Sequence, residues 1–206
     1  MEIFLVSNNL YENNLSYADL HDIELKKLTR PLSIEGEVLA RDLALMEDLN
    51  DTTLIYSSMA SSSLGTAKYL AERINKKIMI EEKLNDCKIG ELGNKSLKMI
   101  GFMQEHDFDI KLNKGESLNE VGNRIEKVIH KIIYLNNNRK TVVFTHRRTM
   151  LGYLIKHGKP GYNLDDNLIV EFNDRVIYNE EVKDVDIIKL TFQNKDLVDI
   201  EAIDFL

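Results

Sequence analysis

The chain opens on an almost unbroken apolar run, Met1-Glu2-Ile3-Phe4-Leu5-Val6, which stops at Ser7-Asn8-Asn9. A continuous apolar stretch bounded by small polar residues predicts a strand buried on both faces. Runs at 53–56 and 140–145, and a shorter one at 77–80, predict further strands. Helical spacing fills the intervals. Ser33 is placed to cap a helix carrying Ile34, Val38, Leu45 and Leu49, closed by Asn50-Asp51. Leu64, Ala67, Leu70 and Ile74 mark a second helix. Ser117 followed by Glu120 forms a capping box ahead of Leu118, Val121, Ile125, Val128, Ile129, Ile132 and Ile133. A helix over 149–157 should stop at Gly158, with Pro160 beyond. Residues 10–30 lack a sustained period and predict a loop with a short helical piece.

From about 88 to 114 the periodicity weakens. Leu92, Leu97, Ile100, Phe102 and Met103 suggest one or two short helices, an insertion able to lie over a site like a lid. After residue 165 the runs 168–172, 175–178, 185–192 and 197–203 alternate apolar and polar, as antiparallel edge strands do. Strands alternating with helices predict an α/β, three-layer sandwich: a mostly parallel sheet, helices on both faces, and antiparallel edge strands near the C-terminus. The expectation is a single domain over 1–206 with the lid-like insertion and a β-rich extension from about 165. Three polar clusters then follow strand carboxyl ends: Ser7-Asn8-Asn9, the serine-rich run 57–63, and Thr145-His146. Open α/β sheets gather ligands at that edge, so the clusters predict a pocket.

Composition narrows the function classes. The 206 residues are 43% hydrophobic, enough for one sizeable core. A formal net charge of −7 argues against a general nucleic-acid or anionic-membrane surface. No stretch approaches about 18 apolar residues, and no basic-plus-apolar leader precedes the first strand, so a cytoplasmic protein is expected. The lone cysteine, Cys87, has no partner for an internal disulfide and fits a reducing compartment as a small half-buried side chain. His21, His106, His130 and His157 show no metal-ligand spacing, so neither a metal site nor a cofactor is expected.

Several ordered landmarks resemble the histidine phosphatase (phosphoglycerate mutase-like) superfamily. The opening strand is similar to the one that delivers Arg-His-Gly there, with Ser7, Asn8 and Asn9 in those places. Asn14 matches the following asparagine. Pro31-Leu32-Ser33-Ile34-Glu35-Gly36 resembles Pro-Leu-Thr-x-x-Gly. Ile55-Tyr56-Ser57-Ser58 with Thr66-Ala67 resembles Tyr-Ser-Ser-Pro-Leu-x-Arg-Ala-x-x-Thr-Ala, which puts Ser62 at the arginine. Leu84-Asn85-Asp86 stands at Leu-x-Glu, Gly115-Glu116-Ser117 with Val121 and Arg124 at Gly-Glu-Ser-x-x-x-Val-x-x-Arg, and Thr145-His146 at the last histidine.

The resemblance implies a phosphoryl-transfer site in which a histidine attacks phosphorus. Two arginines and a second histidine hold the phosphoryl oxygens, and a carboxylic acid protonates the leaving group. Carried over, the nucleophile is Asn8, the two arginines are Ser7 and Ser62, and the acid is Asp86; only Asn14 and His146 are retained. This implies a catalytically inactive pseudophosphatase. Its pocket, formed by Ser7, Asn8, Asn9, Asn14, Ser62, Asp86, His146 and Arg147, would bind a small molecule or a protein partner. Arg147 or Arg148 could turn inward and replace part of the missing charge. Two alternatives stand beside this reading: an active hydrolase using His146 and Asp86 by a non-standard mechanism, and a structural subunit of a complex. A homodimer is compatible with each.

Overall fold

The computed structural model describes residues 1–12, 22–136, 139–179 and 183–205. Strands β1 (Glu2–Asn8), β2 (Leu54–Ser57), β3 (Ile78–Ile80) and β4 (Thr141–Phe144) run parallel. They share one six-stranded sheet with β8 (Val185–Gln193) and β9 (Asp196–Ile203), in the order β3-β2-β4-β1-β8-β9. β1 alternates its side chains between two cores. Phe4 and Val6 enter one with Leu43, Leu70 and Phe144. Ile3 and Leu5 enter the other with Ile125, Ile129 and Leu151. Helices α2 (Ile34–Ala44) and α3 (Ser61–Arg73) supply the first core; α5 (Leu118–Leu135) and α6 (Arg147–His157) supply the second. The three-layer α/β sandwich is as the sequence pattern predicts. No helix among the described residues is long and apolar enough to cross a membrane.

The local signals act where they stand. Ser33 accepts from the Gly36 amide at 3.1 Å to start α2. Ser117 and Glu120 exchange both bonds of the capping box that opens α5. The short helical piece expected within 10–30 is α1 (Ile23–Thr29), capped by Asp22. Within 88–114 a single helix forms, α4 (Leu97–His106), capped by Ser96.

Two expectations need correction. The apolar positions chosen for α2 point outward: Ile34 is 81% exposed and Leu45 64%. The helix instead buries Gly36, Ala40, Leu43 and Ala44 and ends at Ala44, with Leu49 buried in a following 3-10 turn. Its inner face is small because the chain leaving β1 passes directly over it; a Cβ on Gly36 would stand 2.0 Å from the Leu10 carbonyl oxygen. The second correction concerns the tail. β6 (Leu168–Phe172) and β7 (Arg175–Asn179) join β5 (Lys159–Tyr162), a strand the sequence pattern missed, in a separate three-stranded sheet. In the six-stranded sheet β8 is interior, between β1 and β9, and β9 forms the edge opposite β3. Val185 and Ile187 of β8 enter the first core and Ile188, Leu190 and Phe192 the second, so layers cover both of its faces.

Candidate functional site

Because β2, β4 and β1 are neighbours, their carboxyl ends deliver three polar clusters to one place. A cavity of about 240 Å³ lies there, lined by Ser7, Asn8, Asn9, Ser62, Asp86, His146 and Arg147, together with Tyr11, Lys27, Arg30 and Arg148. Every expected pocket residue that the structure describes is on its wall; Asn14 lies outside the described residues.

At the strand exit the polar side chains are tied to the backbone and to one another. The Asn8 amide donates to the Gly36 carbonyl at 3.0 Å and its oxygen accepts from the Leu10 amide at 3.1 Å. Asn8 therefore fastens β1 to the start of α2. Its nitrogen lone pair is delocalised into the amide, so it offers no nucleophile. Ser7 donates to Asn9, which donates in turn to the Lys183 carbonyl and to Asp186 at 2.8 Å. Ser62 sits in the first turn of α3, where its side chain is small and buried.

Two groups could move a proton. Asp86 pairs with Lys27 at 2.9 Å and accepts from the Cys87 amide at 2.8 Å. Burial alone would raise its pKa, but the Lys27 ammonium, with His146 and Arg148 nearby, holds the carboxyl well below the usual carboxylate range. His146 is pushed down to about 4, chiefly by burial, with Lys27, Arg124 and Arg30 adding to the effect against the opposing Asp86 charge. Its Nε2 is 2.9 Å from the Ser58 hydroxyl. At neutral pH Asp86 is thus an acceptor with no proton to give, and His146 is a neutral imidazole. Next door, burial and the Asp86 carboxylate push the Cys87 thiol up to about 11, which keeps it unreactive.

The cations come from elsewhere than the strand exits. Arg147 lines the cavity with both Asp186 oxygens at 2.8 Å and its guanidinium 4.7 Å from the Tyr178 ring. Arg148 bonds Glu105 at 3.1 Å and Gln104 at 2.7 Å. Both are half-buried on the cavity wall. Arg30, at the end of α1, stacks 3.4 Å from the Tyr11 ring centre, and no carboxylate among the described residues pairs with it. Sequence reasoning missed Lys27, Arg30 and Tyr11. The available signal was Lys27 and Arg30, three residues apart beside Pro31, on the chain that must return to the site from β1.

The family model for the histidine phosphatase superfamily (branch 1) matches residues 26–166. The chain belongs to the histidine phosphatase superfamily. Among solved structures it is similar to mycobacterial glucosyl-3-phosphoglycerate phosphatase in complex with inorganic phosphate, with a TM-score of 0.69 and 13% identity over 99% of this chain and 96% of that one. It is also similar to a mutant phosphoserine phosphatase from Entamoeba histolytica in complex with phosphoserine, with a TM-score of 0.62 and 15% identity over 97% and 96% of the two chains. At these identities the likeness is one of fold. No curated protein matches the chain in sequence. The exit of β1 carries Ser7, Asn8 and Asn9 at the edge of an open polar cavity.

Proposed function

We infer that this chain is a pseudophosphatase that binds a small phosphate-bearing anion without hydrolysing it. The observation that carries the reading is Asn8, which the resemblance puts at the nucleophile and whose amide is bound at both ends to backbone groups. Asp86, ionised beside Lys27, is unsuited to protonating a leaving group. Yet the cavity is open, and among the described residues its lining carries Lys27, Arg30, Arg147 and Arg148: the first is paired with Asp86, the last two with Asp186 and Glu105, and Arg30 with no carboxylate. Similar structures hold inorganic phosphate and phosphoserine, which favours a phosphate group over other anions.

The test has two arms. Phosphate release from a broad panel of phosphomonoesters should stay at background, and turnover abolished by His146→Ala would overturn the reading. Inorganic phosphate or phosphoserine at about 100 times its Kd should add about 2.7 kcal/mol of stability, roughly 5–10 °C in Tm for a chain of this size. Arg30→Ala should shrink that shift. No shift with any phosphate compound would refute anion binding.

A further inference from the structure

We propose that the bound anion carries an apolar group, and that this group lies in a second chamber under α4. The inference rests on the anion-binding reading and adds the ligand's other half. A chamber of about 290 Å³ adjoins the polar cavity, and Tyr11, Lys27, Arg30, Asp86 and Arg148 line both. Beyond this shared rim the wall is mostly apolar, formed by Ile23 from α1, Ile89, and Leu97, Ile100 and Gly101 from α4, with Lys26 and buried Gln104 as its polar members. Cations at the mouth and aliphatic side chains behind it match a molecule with an anionic head and an apolar body. The volume is about twice the ~150 Å³ of an engineered apolar cavity that takes up benzene. An aryl or medium alkyl phosphate is the class that fits.

Hydrogen bonds of lining residues fix two walls of the chamber. Buried Gln104 donates to the Ile110 carbonyl at 3.0 Å and the Glu116 carbonyl at 2.8 Å, and accepts from Arg148, which pins the far end of α4. Glu24 of α1 accepts from the Ile89 amide at 2.6 Å and fixes the opposite wall. Gly101 leaves part of the space unfilled. A Cβ there would meet only the Arg148 Nη1 atom, at 3.6 Å, an ordinary contact. A Cβ at 101 thus fits without moving the backbone, a leucine there would extend into the chamber, and leucine is a better helix former than glycine.

Calorimetric titration with inorganic phosphate, then methyl, butyl, hexyl and phenyl phosphate, tests the assignment. Each methylene buried should tighten binding roughly fourfold, so hexyl phosphate should bind at least about tenfold more tightly than methyl phosphate after chain ordering is counted. Gly101→Leu should abolish that gain while leaving inorganic phosphate binding unchanged. A parallel series from acetate to hexanoate reports the head group: gain with length at much weaker affinity than the phosphates supports a phosphate head. Affinity that is measurable but independent of chain length overturns the chamber and leaves the anion reading intact. No binding by any member overturns both. The ligand series on the unaltered chain decides the matter even if Gly101→Leu fails to fold.

Discussion

Acidification should remove stability through His146. The folded imidazole is held at about 4 by burial and by the cations of Lys27, Arg124 and Arg30, whereas an unfolded one titrates near 6.5. Between these values the unfolded chain takes up a proton that the folded chain refuses. Stability is therefore full above about pH 6.5 and falls as pH drops toward 4. Between pH 7 and pH 4.5 this amounts to about 2 kcal/mol, and solvent reaching the partly exposed His146 reduces it to roughly 1–2 kcal/mol. That corresponds to about 2–8 °C in Tm. Urea denaturation at pH 7, 5.5 and 4.5 should be compared between the native chain and His146→Gln, whose side chain can still meet Ser58 but cannot titrate. His157, also held low by burial, and the carboxylates are common to both proteins and cancel. The variant should lose roughly 1–2 kcal/mol less over this range. Parallel stability curves would refute the burial argument for His146.

Gly122 on α5 and Gly152 on α6 let the two helices touch, and a Cβ on Gly122 would stand 2.3 Å from the Gly152 carbonyl oxygen. Gly122→Ala should cost about 1–3 kcal/mol or more in urea denaturation, because backbone rather than a movable side chain must give way; an unchanged midpoint would contradict that packing. Asn8→His should keep the bond to Gly36 through its ring nitrogen, with stability within about 1 kcal/mol of the native chain. It should still release no phosphate, since Ser7 and Ser62 supply no cationic clamp and each missing donor commonly costs about 10²- to 10³-fold. Measurable turnover would mean that Lys27, Arg30 and Arg148 can serve as that clamp.

What could be read from the sequence was what depends on local pattern. The β1 run and the α5 stripe each declare their burial through a single period, and the capping box at Ser117 fixes the start of α5 without tertiary help. Parallel topology then brought Ser7, Asn8 and His146 to one edge, so much of the cavity wall was legible before any coordinates. The apolar face of α2 was not. Its burial is decided by the Leu10 backbone crossing Gly36, a contact between segments, and close approach selects small residues that a hydrophobicity pattern ranks low. β5 was hidden because Lys159-Pro160-Gly161-Tyr162 has no alternation and pairs through only one neighbour, β6. The cations of α1 escaped for a related reason: Lys27 and Arg30 lie far from the strand exits in sequence and reach the site only through the chain path between β1 and α2.

That path bears on where an anion would sit. Ser7 and Ser62 are buried positions, 2% and 7% exposed, where a cation would need a bound anion or a carboxylate to offset its desolvation. The cations present instead stand at the rim, and three of them are already balanced: Lys27 by Asp86, Arg147 by Asp186 and Arg148 by Glu105. These pairs offset the cations within the protein itself, which arginines without carboxylate partners at the cavity floor would lack. An incoming phosphate can compete for these side chains at the rim, with Arg30 the cation that has no carboxylate to leave among the described residues. The head group would then rest above Asn8 rather than against it, close to the mouth of the chamber under α4. Charge held at the rim thus fits two features together: an Asn8 amide engaged in holding β1 to α2, and a largely apolar chamber that opens beside the cations rather than beside the strand exit.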